Sequence, residues 1–578
     1  DGTEAVLRVQ RLNERLQPYL RPVSLQSDES RERDALLKER DELLATLARR
    51  VLQRSSERVL PLERIQKQIP EDTAVIFWLD VFDQHVACVL RRSGPPRWVK
   101  LPGSGAQDAW KDDDSELPDR TLAALANGVA DPAAQAELCK QLYRQRFSAV
   151  ESHLKDVKHL LIVAAGRMSA MPVEALTTRF TISYIPSASI YARRMEQHRP
   201  LQASSSLVLA DPDFRRKEAR ELPTPPYGLL VKVVSPRGLA ARAGLRPGDV
   251  LLDYADKRLT KPEDLKPPND ADRVTLRFWR DGRTYMGRIP AGGLGLVVDA
   301  RPIEKAWAAW SQRVSELDAL SRGSKDWPAL PGTRLEARTL ATLVPDTTLL
   351  LGADASEQKL AALVAEDQLK KYRLIHLATH GEANPSLPKQ TALILAQNQL
   401  SLDDESKQVL AHKQPASGRL TVEKVLADWK LDADLVVLSA CQSGLGKATT
   451  ADGMLGFSQA LLQKGAHSVV LSLWKVDDSA TALLMARFYE NLLGRRAGLK
   501  QPLPRAAALA EAKTWLRTLS RADAAKRLAG LVDGVPRGER GTIKAALPTR
   551  TPKATETADR PFAHPYYWAA FILVGDPN

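Results

Sequence analysis

Two apolar segments of the sequence each run into a residue that could take part in nucleophilic catalysis. RLIHLATHGEANP (373–385) reaches His380-Gly381, and DLVVLSACQSGLG (434–446) reaches Cys441 just before a glycine-containing turn. Continuous apolar runs predict buried strands, and parallel sheets bind ligands at their carboxyl edge. A thiol in such a turn, near unpaired backbone N–H groups, suits a nucleophile whose oxyanion is held by amides. Taken singly, a hydrogen-bonded histidine at a strand end and a buried inert cysteine are the commoner explanations of the two residues.

The two segments together are more specific than either one. They predict histidine and then cysteine on adjacent strands, with enough chain between them for a crossover helix. This order resembles the caspase-like (clan CD) cysteine peptidases and, within them, the CHAT domain, a relative of separase. Further phrases similar to CHAT occur over 60–215 and 330–578, namely LIVAAGRMSAMPVEAL, SASIYARR, LPGTRLEARTLATLVPDTTLLLGADASEQKL, GAHSVVLSLWKVDDSAT and HPYYWAAFILVGDP.

The resemblance implies a role for each residue of the motif. His380 would be the general base, or the imidazolium, that activates the thiol, and Cys441 the nucleophile that forms a thioester. The amides of Gly381 and Cys441 would stabilise the oxyanion. No third side chain can be assigned to orient the histidine, a task that a backbone carbonyl can perform in such enzymes. We expect a structural role for His376, two residues earlier on the same strand face.

Two acidic residues follow a third apolar run. SVVLSLWKVDDSAT (468–481) predicts a buried strand, then Asp477 and Asp478, then a helix start. Asp478 or Ser479 could cap that helix. In separase-like enzymes the same segment lines the first specificity pocket, so the resemblance makes Asp478, and second Asp477, candidates to bind an arginine before the cut. Both interpretations stay open.

The remaining elements predict an α/β fold. AVIFWLDVFDQHVACVL indicates two strands with a turn near Asp83, and KHLLIVAAG and LVLADPDF indicate buried strands that alternate with helical patterns. The resemblance implies a caspase-like three-layer α/β/α sandwich. We expect four parts: an N-terminal helical segment (1–70), a pseudo-caspase lobe without the dyad (71–220), an insert (221–302) and the active lobe (303–578). Segments 386–419 and 520–560 are rich in turn-forming residues and are candidate moving loops.

The insert is β-rich and resembles a PDZ domain of the bacterial kind. SPRGLAARAGLRPGDVLLDYADKRL matches that pattern, and Asp281-Gly282 predicts the turn of a following hairpin. PDZ domains bind a peptide C-terminus, with its carboxylate in a nest of loop amides. The matching loop would be Gly293-Leu294-Gly295-Leu296, at the end of the module as in a circular permutation. A plain glycine-rich linker explains these four residues as well.

Composition excludes several classes of protein. Hydrophobic residues are 44% and charged residues 26% of the 578, as in globular proteins. No apolar run has the ~18 residues of a membrane span, and the start lacks a secretory signal, so we expect a cytoplasmic protein with no membrane partner. The net charge of +13 is scattered, and without a recognition motif we expect no nucleic-acid partner. Cys88 and Cys139 lack an adjacent His-Gly or glycine-rich turn and are assigned as inert. No Cys/His spacing suits zinc, and no cofactor is implied.

The resulting hypothesis is a cysteine endopeptidase that cleaves a protein substrate in bacterial signalling or defence, the setting the resemblance suggests. We expect control by an activating protein or an upstream helical-repeat region. A catalytically silent scaffold that docks partner C-termini is the main alternative, and a thiol-dependent transferase or cyclase shares the acyl-enzyme step.

Overall fold

The structure is a computed structural model. It describes residues 59–578 except 82–83, 164, 199, 202–203, 216–222, 236–237, 267–270, 281, 323–326, 385–387, 399–416, 441–455, 537–546 and 548–558, and also residues 12, 31, 35, 36, 38, 39 and 42. The chain divides into two compact units. The first comprises 1–215, 327–399 and 418–578, and the second comprises 216–326 and 400–417. The helix Ile303–Arg322 belongs to the second unit, which therefore extends past the predicted boundary at 302.

The strands are numbered along the chain. They are β1 (Thr73–Val81), β2 (Gln84–Leu90), β3 (Arg97–Lys100), β4 (His159–Val163), β5 (Thr181–Ile185), β6 (Ser206–Pro212), β7 (Leu229–Val234), β8 (Val250–Tyr254), β9 (Lys257–Arg258), β10 (Arg273–Arg280), β11 (Arg283–Pro290), β12 (Leu296–Val298), β13 (Thr347–Gly352), β14 (Leu374–Glu382), β15 (Ala392–Ile394), β16 (Arg419–Thr421), β17 (Leu435–Ala440), β18 (Ser468–Ser472) and β19 (Phe571–Gly575).

The α-helices are numbered in the same way. They are α1 (Leu62–Lys67), α2 (Asp112–Leu125), α3 (Pro132–Arg146), α4 (Ala188–Glu196), α5 (Leu239–Arg242), α6 (Ile303–Arg322), α7 (Pro331–Leu343), α8 (Glu357–Ala365), α9 (Val422–Asp428), α10 (Phe457–Gln463), α11 (Asp478–Leu492), α12 (Arg505–Thr518), α13 (Arg521–Asp533) and α14 (Pro565–Trp568).

The first unit is built on one large mixed sheet, in the order β13-β6-β14-β17-β18-β19-β5-β4-β1-β2-β3. Neighbours from β13 to β18 are parallel, and so are those from β19 to β1. The two parallel blocks meet where β18 and β19 run antiparallel. The chain exchanges strands between the blocks, because β6 comes from the predicted pseudo-caspase lobe and β19 from the predicted active lobe. The mixed α/β fold that the sequence predicted is confirmed.

Helices cover both faces of the β19–β1 block. Val75 and Leu161 belong to a buried cluster with Ile65 of α1 and Tyr191 of α4. Ala74, the neighbour of Val75, belongs to the main core together with side chains of α2 and α3. Since successive side chains of a strand point to opposite faces, the block lies between two helical layers.

A buried ion pair fixes the register of the two central strands. Arg373 directly precedes β14, and Asp434 directly precedes β17. Arg373 Nε donates a hydrogen bond to Asp434 Oδ2 at a distance of 3.1 Å. Arg373 Nη1 also donates to Asp432 Oδ2 over 2.8 Å. From there the pairing runs from Leu374 opposite Leu435 to Thr379 opposite Ala440. The carboxyl ends of the two strands therefore lie side by side.

The second unit contains a six-stranded sheet in the order β11-β10-β8-β7-β12, with β9 paired to β8. The predicted hairpin is confirmed, since β10 pairs antiparallel with β11 and Gly282 at the turn has a φ of +81°. Trp307 of α6 packs edge-on against Trp279 of β10, with ring centroids 5.2 Å apart. Ile303 and Ala306 of α6 belong to the same buried cluster as Trp279, so α6 packs as part of this unit.

Two of the predicted loops contain regular structure. In the segment 520–560, residues 521–533 form α13, whose N-cap Ser520 accepts from Asp523 N. In 386–419, β15 pairs with β14 and β16. Both predictions averaged composition over a long window and so overlooked a local cap and a short apolar strand. Residues 386–387, 399–416, 537–546 and 548–558 of these loops, and most of the N-terminal segment 1–70, fall outside the described residues.

Candidate active site

His380 lies where strand β14 changes its partner. The parallel pairing of β14 with β17 ends at Thr379, and from His380 onward β14 pairs antiparallel with β15. The sequence suggested that the strand would end at His380-Gly381. It continues to Glu382 because β15 supplies a new partner. The imidazole therefore stands at the carboxyl end of the parallel ladder, where such sheets bind ligands.

One hydrogen bond orients the His380 ring, which is 5% exposed. Its Nε2 lies 2.8 Å from the carbonyl oxygen of Pro328. Because a carbonyl only accepts, we assign the proton to Nε2 and the lone pair to Nδ1. The rings of Phe214 and Trp327 each lie 5.1 Å from the imidazole centroid and hold it in place.

The surroundings of His380 keep it neutral. Burial is the main cause that lowers its pKa below the ordinary value of 6.5, the hydrogen bond to Pro328 opposes this, and the positive charge of Lys475 lowers the pKa further. A neutral imidazole whose Nδ1 has a lone pair can accept a proton, which is the task of a general base.

Cys441 lies outside the described residues, and the strand that leads to it is described up to Ala440. The carbonyl oxygen of Ala440 accepts a hydrogen bond from Ser472 Oγ, which ties the end of β17 to β18. The other two cysteines are Cys88, which is buried, and Cys139, which is half-buried. Burial raises the pKa of each to about 11. Their thiols stay protonated at neutral pH, as expected of inert cysteines.

The two candidate specificity residues have different environments. Asp477 is the N-cap of α11. Its Oδ1 accepts hydrogen bonds from Ser479 N and Ala480 N, each at a distance of 3.0 Å. The prediction that Asp478 or Ser479 caps this helix is therefore wrong by one or two residues, because the helix starts at Asp478 itself. Asp478 is left with a carboxylate that has no capping role.

Asp478 lies at a small cavity beside the end of the parallel ladder. Side chains from β14, β17, β18 and α7 line it, including Thr379, Ser439, Ser472 and Glu336. Its volume is about 30 Å³, room for about two water molecules, since roughly 10–15 Å³ in this measure holds one. Burial first, and then the negative charges of Glu336 and Asp477, raise the pKa of Asp478 to about 6.

Helix α7 approaches this aspartate closely. A Cβ atom added to Gly332 would lie 2.5 Å from the Cβ of Asp478, so only glycine lets the start of α7 pack here. Glu336, one turn further on, is 2% exposed, and its Oε2 lies 3.2 Å from His376 Nε2 without hydrogen-bond geometry. His376 Nδ1 contacts the hydroxyl of Tyr489 at 2.8 Å, which agrees with the structural role expected of it.

Sequence reasoning missed Glu336 and Pro328. A charged residue on the buried face of the amphipathic pattern LPGTRLEARTL was the available signal for Glu336. The carbonyl of Pro328 carried no signal, because any residue has one and only the chain path brings this one to His380.

The proposed peptide-binding loop lies in the second unit. The carbonyl oxygens of Leu294 and Gly295 accept from Ala240 N and Ser235 N, each over 2.8 Å. Leu296 then begins β12, which lies at the edge of the sheet and pairs only with β7 among the described strands. Val297 in this strand is 55% exposed.

Two absences hold for the described part of the chain. No helix there is both long and apolar enough to cross a membrane. Within the same residues, His, Cys, Asp and Glu side chains form no group of three or more that could hold a metal ion.

Comparison with known proteins gives one family and a few relatives. A family model described as the CHAT domain matches residues 136–576. Tetratricopeptide repeat protein 28 of Mus musculus is 28% identical over 191 residues, which are 30% of this chain and 7% of that protein. The Homo sapiens protein of the same name is 24% identical over 266 residues, 43% of this chain and 8% of that protein. The chain thus spans less than a tenth of these relatives' length.

Two solved structures show a distant likeness. The match to a chain of the Saccharomyces cerevisiae separase–securin complex covers 100% of this chain and 27% of the matched chain. The sequence identity is 11% and the TM-score is 0.29. The match to the Arg specific cysteine proteinase gingipain R covers 80% of this chain and 74% of the gingipain chain. The sequence identity is 8% and the TM-score is 0.31.

Proposed function

The chain belongs to the CHAT domain family, and on this basis we propose that it is a cysteine endopeptidase with His380 and Cys441 as its catalytic dyad. The main support is the register of β14 and β17. Thr379 lies opposite Ala440, and the next residue of each strand is His380 on one and Cys441 on the other. Because both candidate residues directly follow this last pair, we infer that the thiol can reach the imidazole.

The chemistry follows from the state of His380. With Nε2–H bonded to Pro328, Nδ1 takes the proton of the Cys441 thiol, and the thiolate attacks the carbonyl carbon of the substrate. The oxyanion of the tetrahedral intermediate accepts hydrogen bonds from the amides of Gly381 and Cys441. The imidazolium then protonates the leaving amine, and water hydrolyses the thioester with His380 again as base.

The residue before the cut would be basic and would face Asp478. Because Asp477 is engaged as a helix cap, Asp478 is the carboxylate that remains for a substrate, and Glu336 adds negative charge behind it. Arginine would be favoured over lysine, since its planar fork can make two parallel hydrogen bonds to a carboxylate. A cavity of about 30 Å³ does not hold such a side chain, so the site has to open for substrate.

Opening of the site offers a means of control. An activating protein, or a helical-repeat region upstream of the chain, would favour the open form. The matched relatives are named as tetratricopeptide repeat proteins, and the chain spans only a small part of them. That observation supports an upstream repeat region as the source of control.

The second unit would act as a PDZ-like module that binds the free C-terminus of a peptide. Both carbonyls of Leu294 and Gly295 are hydrogen-bonded within the unit. The exposed edge of β12 directly follows them and could pair with an added peptide strand.

A scaffold without turnover is the second candidate, favoured by the small volume of the Asp478 cavity, about 30 Å³. Labelling by a thiol-directed peptide warhead separates the two functions, because a scaffold has no need of an activated thiol. Modification of Cys441 that is lost in His380→Ala supports the peptidase, and equal labelling of both proteins supports the scaffold.

The decisive test is proteome-wide mapping of new N-termini with the wild-type protein and with Cys441→Ala. We expect Cys441→Ala and His380→Ala each to abolish cleavage while leaving the fold intact. Cys88→Ser and Cys139→Ser are matched controls and should cleave at close to the wild-type rate. Substantial turnover by folded Cys441→Ala would overturn the assignment.

A further inference from the structure

A large cavity lies in the first unit among residues that the proposed peptidase site does not use. Its volume is about 820 Å³, within the range of pockets that hold drug-sized molecules. Helix α3 forms one wall, and residues 560–567, which lead into α14, form another. Most of the lining is apolar, with Val129, Ala136, Leu176, Pro561 and Tyr567 among its residues.

His564, one of the residues that line the cavity, has a buried ring nitrogen without a partner. His564 is 8% exposed, and its Nδ1 accepts a hydrogen bond from Tyr566 N over 3.2 Å. The proton therefore sits on Nε2, which has no hydrogen-bond partner. Burial lowers the pKa of His564, so the ring is neutral and Nε2–H is a donor without an acceptor. A buried donor of this kind is costly unless a ligand satisfies it.

The charges at the cavity favour an anionic acceptor. Lys140 and Arg560 both line it and are exposed. The carboxylate of Asp131 also lines it, but Asp131 is the N-cap of α3 and accepts from Ala133 N and Ala134 N. Lys140, Arg560 and His564 thus line a cavity whose other residues are mostly apolar.

We propose that this cavity binds a small apolar carboxylic acid, whose carboxylate accepts from His564 Nε2 and whose apolar body contacts the lining. Lys140 and Arg560 attract the carboxylate to the cavity. The site is separate from the proposed dyad, and its occupation does not depend on peptidase activity.

Isothermal titration calorimetry of the full chain tests the proposal, with dodecanoate as the probe and dodecan-1-ol as its uncharged match. We expect saturable binding of dodecanoate at one site and binding of the alcohol weaker by about tenfold or more, since a charge-assisted hydrogen bond is lost. His564→Asn should weaken the binding of dodecanoate by a similar factor. Asparagine keeps the cap of α14 but is too short to supply the distant donor.

His153→Asn is the matched control, because His153 is outside the lining, and should leave the affinity unchanged. Absence of saturable dodecanoate binding would overturn the proposal. So would equal affinity for acid and alcohol, or an affinity that His564→Asn leaves unchanged.

A second measurement uses the wild-type protein, in case His564→Asn fails to fold. Cys139 lines the cavity, whereas Cys88 does not. Dodecanoate should slow alkylation of Cys139 by N-ethylmaleimide, followed by peptide mass spectrometry, and leave the rate at Cys88 unchanged. An unchanged rate at Cys139 would show that the probe does not occupy this cavity.

Discussion

At the scale of single residues, the state of His380 determines how activity should depend on pH. Its pKa lies below 6.5, and the imidazole acts as a base only when it is neutral. On an uncharged substrate, kcat/KM should therefore rise with pH with a midpoint below 6.5. Lys475→Met removes a positive charge that lowers this pKa, so the midpoint should move up. A pH profile of both proteins checks this, and an unchanged midpoint would exclude electrostatic coupling of Lys475 to the base.

The carboxylate of Asp478 should make substrate preference depend on pH. With a pKa of about 6, it is ionised above that pH and neutral below it. The ratio of kcat/KM for an arginine substrate to that for its leucine match should be high above pH 6 and fall as the pH falls through about 6. His380 affects both substrates, so the ratio isolates Asp478.

Two variants separate specificity from helix capping. Asp478→Asn should abolish the arginine preference at every pH. Asp477→Ala should keep the preference and cost about 1 kcal/mol of unfolding free energy, because it removes the cap of α11. If Asp478→Asn keeps the wild-type preference for arginine, Asp478 is not part of the specificity pocket.

At the scale of elements, the pair of Arg373 and Asp434 aligns the strands that position the site. Arg373 is 7% exposed, and removing one partner of a buried pair costs about 3–5 kcal/mol. Arg373→Met should lower the unfolding free energy by roughly that amount, measured by urea denaturation. Arg215→Met is the control, because its side chain is 89% exposed and solvent screens its bond to Asp213. Similar losses in the two variants would contradict a register-fixing role for Arg373.

At the scale of the whole molecule, the two units make separate predictions, and the second can be tested without any cleavage assay. If Gly293–Leu296 bind a terminal carboxylate, peptides with a free apolar C-terminus should bind the full chain. Amidation of the peptide removes the negative charge of its terminal carboxylate, to which the loop amides would donate hydrogen bonds. The binding free energy should therefore weaken by about 1.5–3 kcal/mol. Fluorescence anisotropy with acid and amide forms of one peptide measures this, and equal affinities would indicate a linker.

Local chemistry was readable from the sequence alone. Continuous apolar runs predicted β4, β14, β17 and β18, because a strand covered on both faces has to be apolar throughout. Asp281-Gly282 predicted its hairpin, since that turn requires positive φ. The candidate dyad and the family followed from the same motifs, and the roles of His380 and Cys441 stay proposals.

Only the tertiary structure determined which distant groups meet. The exchange of β6 and β19 between the two blocks depends on chain path, which no local pattern encodes. The Pro328 carbonyl at His380 and Glu336 behind Asp478 arise from contacts between residues far apart in sequence, and the burial of His564 Nε2 without a partner is likewise visible only in the fold. The cap of α11 was mispredicted by one or two residues, because three polar residues in a row can each serve and packing selects among them. Residue types specify the chemistry that is available, and packing decides which groups are buried, paired or left for a ligand.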